Sequence, residues 1–107
     1  MKNVTIVDYG IGNLKSVQNA FEHLGVCVLF AKPPSHILNA TSLVLPGVGA
    51  FSDGMKELVS RNLVLAIQEY AMSNRPLLGI CLGMQLLFQS SEEFGEHSGL
   101  GIICLLY

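Results

Sequence analysis

A cysteine set between two glycines, Gly79-Ile80-Cys81-Leu82-Gly83, is the stretch of this chain whose residue types most directly spell out chemistry. It has the G-x-nucleophile-x-G form of a nucleophile held on a sharp strand-to-helix turn. Such a turn needs small residues on both sides, because side chains there would clash with the strand and the helix. At a helix N-terminus the unpaired N–H groups and the dipole favour thiolate over thiol. The N–H of Leu82, one residue on, is placed to donate to an oxyanion. On the pentapeptide alone a second reading stands level with this one: a small buried hydrophobe, the common fate of a free cysteine.

Two other glycine-rich stretches compete for attention. Tyr9-Gly10-Ile11-Gly12-Asn13 could cradle a phosphate at a helix N-terminus, although the third glycine is missing and no acidic residue follows near position 30. Pro46-Gly47-Val48-Gly49, taken alone, reads as an ordinary loop after a strand. Gln85 lies one turn beyond Cys81, where it is either a ligand-facing amide or a surface residue on a helix.

Positioning these turns requires elements around them, and the apolar pattern supplies them. Asn3-Val4-Thr5-Ile6-Val7-Asp8 reads as a short buried strand, and Val26 to Phe30, Ser42 to Leu45 and Leu77 to Ile80 read as three further strands. Leu14, Val17, Phe21 and Leu24 repeat at helical spacing, with Asn13 as N-cap and Gly25 as the stop. A short helical turn is expected at His36–Ala40. One helix is expected from Ser52 to Met72, carrying Met55, Leu58, Leu63, Ile67, Tyr70 and Ala71 on one face. Another runs from Leu82 to about Gln89. Strands that alternate with helices and are apolar throughout predict an α/β architecture: an open, mostly parallel sheet covered by helices on both faces. In such sheets ligands bind at the carboxyl ends of the strands. All three glycine-rich turns fall on that edge.

The totals narrow the function classes. The 107 residues suffice for one small domain; half are hydrophobic and only 13% are charged, which argues for a packed core and against disorder. That little charged surface also predicts an apolar face that meets a partner or further polypeptide. The net charge is −2 and no Lys/Arg cluster occurs, so no nucleic-acid footprint is present. The N-terminus lacks the h-region of a signal peptide, and the apolar run from Pro76 to Phe88 is shorter than the roughly 20 residues of a membrane helix. A soluble, cytoplasmic protein is expected. Cys27, Cys81 and Cys104 are an odd set without CxxC or Cys/His spacing, which speaks against a disulfide framework and against a metal site.

The stretch Gly79-Ile80-Cys81-Leu82-Gly83-Met84-Gln85-Leu86-Leu87 resembles the nucleophile motif of class I, triad-type glutamine amidotransferases. Asp8 to Asn13 and Leu45-Pro46-Gly47-Val48-Gly49-Ala50-Phe51 narrow the resemblance to the glutaminase subunits of imidazole glycerol phosphate synthase, over about residues 4 to 102. The resemblance implies a flavodoxin-like fold, with residues 1–107 forming the N-terminal part of a single amidotransferase domain. It implies that Cys81 attacks the side-chain amide of glutamine, forming a glutamyl thioester and releasing ammonia. The oxyanion hole would comprise Leu82 N–H with a backbone N–H of the Gly47-Val48-Gly49 turn, which is expected to need a peptide reorientation. Gln85 and Gly83 would hold the substrate. Gly10, Gly12 and Asn13 would lie near the active site and the interface with a (β/α)8-barrel cyclase, a reading ranked above phosphate binding. No cofactor is implied.

The family's catalytic His and Glu lie downstream of residue 107, and none of His23, His36 or His97 matches that histidine. The chain by itself is therefore expected to lack useful glutaminase activity. The ending Cys104-Leu105-Leu106-Tyr107 also departs from the family pattern, as an early stop, a frameshift or a fragment would explain. Two rival readings remain at this point: an ammonia supplier to a sugar-modifying enzyme of surface-polysaccharide synthesis, and a non-catalytic docking module. A flavodoxin-like nucleotide-binding domain rests on Gly10 to Asn13 alone.

Overall fold

The structure is a computed structural model that describes residues 2–88, 90–91 and 97–102. Gln89, Cys104 and the divergent ending lie outside the described residues. The β-branched run Asn3–Val7 forms β1, followed by α1 (Leu14–His23), β2 (Cys27–Ala31), α2 (Pro34–Leu38) and β3 (Leu43–Leu45). Next come α3 (Phe51–Ser60), α4 (Val64–Met72), β4 (Leu77–Gly79) and α5 (Leu82–Leu86). A short antiparallel pair, β5 (Ser90–Ser91) and β6 (His97–Ser98), ends the described chain. The four main strands pair in parallel in the order β2-β1-β3-β4. The direction of winding reverses at β1, so the crevice between the β1 and β3 turns is the expected ligand position for such a sheet.

Alternation along the strands separates two layers. Val7, Leu43 and Leu45 face one side and join Ile37, Phe51, Leu58, Leu63, Ile67, Tyr70 and Leu86 in a single buried cluster drawn from α2 to α5. Each fully buried side chain of this kind stabilises the fold by about 1.5–3 kcal/mol. Arg75 pins the edge of this layer: its Nη1 donates to the carbonyls of Leu38 (2.8 Å) and Ala40 (2.6 Å), and its guanidinium lies over the Tyr70 ring. Two carbonyls freed at the end of α2 are satisfied in this way.

The opposite face is thinner. Ile6 and Val44 point there and are covered, but α1 contributes no residue to the main cluster and has none fully buried. Leu24, expected on the inner face of α1, is the C-cap and 75% exposed. Beside it runs a groove of about 340 Å³ lined by Val17, Ala20, Phe21, Leu24 and Ile80. Leu78 of β4 is half exposed on the same side. Both faces therefore carry helices as expected, but over β4 the α1 face is open among the described residues.

The expected helix over 52–72 is two helices. Asn62 adopts a left-handed conformation (φ 59°) just past the end of α3. Its N–H donates to Val59 O, and Leu63 N–H reaches back to Leu58 O at 3.0 Å, the double bond of a Schellman cap. The apolar positions carry the signal, since the step from Leu58 to Leu63 is five rather than three or four. α1 ends in the same way, as expected: Gly25 (φ 79°) is its left-handed residue, and Val26 N–H returns to Phe21 O at 3.1 Å.

Candidate active site

β4 delivers the chain to Cys81, which caps α5 at φ 54° and ψ −121°. A residue with a Cβ is strained in this region, at a cost of order 1–3 kcal/mol, and such strain concentrates at functional positions. Its origin is visible in the neighbours. Ile80 N–H is bound by Leu45 O (3.0 Å), while Met84 N–H and Gly83 N–H already return to Cys81 O and Ile80 O. The strand bond and the helix bonds leave Cys81 as the single residue that makes the turn. Its thiol is free and exposed, so the buried-hydrophobe reading of this cysteine does not hold.

The flanking glycines are required by space. A Cβ on Gly79 would stand 2.6 Å from Met84 Cα, and one on Gly83 would fall into the Leu45 carbonyl. α5 thus rests directly on the end of β3. That close approach brings the Pro46–Gly49 turn against the nucleophile. Leu82 N–H, the expected oxyanion donor, donates to Gly47 O at 3.1 Å. Gly47 itself is enclosed, while Val48 is 56% exposed and Gly49 (φ 97°) faces open space.

The β1 turn closes the third side. Gly10 (φ 84°) and Gly12 (φ 118°) both need conformations that favour glycine. A Cβ built on Gly12 would lie 3.5 Å from Gly47 Cα, which places this turn directly beside the Pro46–Gly49 turn. A Cβ on Gly10 would strike the Arg61 guanidinium, which is paired with Glu57 at 3.0 Å. Asn13 caps α1 as expected, its Oδ1 accepting from Ser16 N–H at 3.2 Å. Gln85 lies on an exposed face of α5. Cys81, Leu82, Gly83, Gly47 and Gly12 are thus gathered at one edge, with Gln85 one turn away.

Sequence reasoning missed one residue here. Tyr9 is fully buried, and its hydroxyl donates to Pro46 O at 2.5 Å. Burial pushes its phenol well above the usual tyrosine range, so it remains an O–H donor. A tyrosine at the end of an otherwise apolar strand was the available signal, because a buried phenol needs a polar partner. Among the described residues no three His, Cys, Asp or Glu side chains gather as a metal cluster. None of the described helices is long and apolar enough to cross a membrane.

The strain at Cys81 has a measurable side. Cys81→Gly removes a Cβ from a left-handed position and gives up little contact, since the thiol is exposed. It is expected to raise stability by about 1 kcal/mol in a urea titration.

A free thiol on a strained strand-to-helix turn, facing a glycine turn at the edge of a parallel sheet, marks an α/β protein with a cysteine nucleophile elbow. Within that class the chain belongs to the class-I glutamine amidotransferase family, whose pattern it matches over residues 5–97. It is 56% identical over 100 residues to the imidazole glycerol phosphate synthase subunit HisH of Sulfurimonas denitrificans, covering 94% of this chain and 48% of that protein. It is 52% identical over 103 residues to subunit HisH 1 of Legionella pneumophila strain Lens, covering 96% of this chain and 48% of the relative. The chain thus spans about half the length of the curated relatives it matches. Among solved structures, a glutamine amidotransferase superposes with a TM-score of 0.77 at 19% identity, over 92% of this chain and 52% of the other. A peptidase E protein from Listeria monocytogenes superposes with a TM-score of 0.73 at 15% identity, over 95% and 63%. At those identities the likeness is one of fold.

Proposed function

We propose that this chain is the nucleophile-bearing part of a glutaminase subunit that feeds ammonia to the cyclase of imidazole glycerol phosphate synthase. The observation that carries the reading is the exposed Cys81 thiol at φ 54°, with Leu82 N–H and the Gly47 peptide set against each other beside it. Relatives 52–56% identical to it over the aligned residues are HisH subunits of that synthase, which favours this route over surface-polysaccharide synthesis.

In this reading Cys81 Sγ attacks the side-chain amide carbon of glutamine. An S–C bond forms, the C–N bond breaks, and nitrogen leaves as ammonia once it has gained a proton. Water then attacks the glutamyl thioester and releases glutamate and the thiol. The negative oxygen formed in each step needs two donors. Leu82 N–H is one, and it is occupied by Gly47 O in the resting arrangement. Turning the Gly47–Val48 peptide would withdraw that carbonyl and offer Val48 N–H from the same side. Glycine at 47 and at 49 makes the turn sterically inexpensive. Gln85 and Gly83 hold the substrate, and the Gly10-Gly12-Asn13 turn faces the (β/α)8-barrel cyclase. In the resembled family the His and Glu that move the protons lie downstream of the stretch that residues 1–107 match.

The test is reaction of the chain, with a cyclase partner present, with the electrophilic glutamine analogue 6-diazo-5-oxo-norleucine. Peptide mass spectrometry is expected to find the adduct on Cys81 and none in Cys81→Ala. Cys27, which is also free and exposed, is the internal control. Equal modification of Cys27 and Cys81, or none at all with the cyclase present, would overturn the reading.

A further inference from the structure

The Pro46–Gly49 turn is held unevenly. Its inner half is gripped: Tyr9 Oη donates to Pro46 O at 2.5 Å. The space a side chain on Gly47 would need is filled by the same hydroxyl at 2.5 Å and by Leu82 Cβ at 3.0 Å. Gly12 of the β1 turn backs Gly47 closely on a further side, 3.5 Å from a built Cβ to Gly47 Cα. The outer half is free, with Val48 exposed and nothing within 4 Å of a Cβ built on Gly49. The boundary between the two halves falls between two successive peptide planes. The Pro46–Gly47 plane carries the carbonyl bound by Tyr9. The Gly47–Val48 plane carries the carbonyl bound by Leu82 N–H.

We propose that Tyr9 is a positioning residue of the oxyanion turn. By anchoring the Pro46 carbonyl, it confines reorientation to the single peptide between Gly47 and Val48. The inference rests on the glutaminase reading for its purpose, though the restraint itself is a property of the fold. Without the anchor, a rotation of the outer peptide spreads into the inner one, and Val48 N–H is no longer delivered to one fixed place. A buried phenol suits this role, since it stays protonated, its ring is fixed by the core around it, and its O–H has one acceptor. Nothing about the residue brings it into contact with substrate, so its effect on chemistry is exerted through the turn.

The experiment compares the full chain with its Tyr9→Phe variant by amide hydrogen exchange. The expected result is faster exchange by roughly tenfold or more at Leu82, whose N–H is bound to Gly47 O, and at the buried Gly47, with Thr5, Leu43 and Ile80 in the sheet unchanged. Unchanged exchange in the turn, or equal acceleration throughout the sheet, would show that Tyr9 has no local hold on the turn. A second measurement needs no variant. The Tyr9 hydroxyl proton is expected as a slowly exchanging resonance with a nuclear Overhauser contact to the Gly47 α-protons, and its absence overturns the anchor. With a cyclase present, labelling of Cys81 by the glutamine analogue adds a functional split. Tyr9→Phe is expected to lower the maximal rate of Cys81 labelling by the analogue about tenfold, while half-saturation and iodoacetamide labelling of Cys81 hold within about twofold. A proportional change in both labelling reactions points to a structural role alone and overturns the proposal. If the analogue labels neither protein, the glutaminase reading fails, and the exchange data still decide the anchor.

Discussion

Gly83→Ala is expected to destabilise the chain by about 3 kcal/mol or more, and so to remove most or all of its cooperative unfolding transition in urea. Alanine normally favours a helix over glycine by about 1 kcal/mol, so propensity alone predicts the opposite sign. Packing decides it. The new methyl would fall into the Leu45 carbonyl, with Pro46 C at 3.1 Å behind it. Leu45 O cannot retreat, because it accepts from Ile80 N–H at 3.0 Å. α5 would have to lift from β3, exposing Leu82 and Leu86, which are buried in the main cluster. A stability within about 0.5 kcal/mol of the parent would mean that helix and strand do not approach as closely as described.

The second large effect is expected at Gly47. In Gly47→Ala the methyl would meet the Tyr9 hydroxyl at 2.5 Å, Leu82 Cβ at 3.0 Å and Gly83 N at 3.2 Å. The turn must move away from α5, which carries Val48 N–H out of the place where it would join Leu82 N–H as the second oxyanion donor. Loss of a positioned oxyanion donor should lower labelling of Cys81 by the glutamine analogue roughly 100-fold, measured with a cyclase partner. Gly49→Ala is the informative contrast. Space there is open, and only the left-handed backbone (φ 97°) opposes a side chain. A stability cost of about 1 kcal/mol with a smaller loss of labelling is expected. Equal labelling losses at the two positions would assign the effect to flexibility of the turn as a whole rather than to contact at Gly47.

What could be read in the sequence was what is encoded locally. The nucleophile turn was legible in part because the requirement for glycine at position 79 arises from a residue only five positions away, Met84. The order of strands and helices followed from runs of Val, Ile and Leu and from caps such as Asn13 and Gly25, whose bonds are made within one or two turns. The break at Asn62 was missed because apolar residues continue on both sides of it, and only a step of five marks it. Leu24 was assigned inward on spacing alone, whereas burial depends on whether anything faces that side of α1. For Tyr9 the local signal was only that a buried phenol needs a polar partner; which partner it finds is not encoded nearby. Its partner lies 37 positions away, and the bond exists only when β1 and β3 lie side by side. The same holds for Gly83, whose glycine is imposed by the Leu45 carbonyl of another strand as much as by the turn in which it sits.

The sheet order β2-β1-β3-β4 carries a consequence for the time course of folding. The β1–β2 unit with α1 is closed by neighbours in sequence and can form early, but it contains neither Cys81 nor the Pro46–Gly49 turn. The pairs β1–β3 and β3–β4 each bridge a long intervening stretch, and ordering such stretches carries a loop-closure entropy that slows the step. The left-handed turn at Cys81 is imposed only when the second of these pairs has formed and α5 has landed on β3. The nucleophile is therefore expected among the last features to acquire its shape, and a chain in which β3 and β4 have not paired is expected to carry an ordinary, unstrained cysteine.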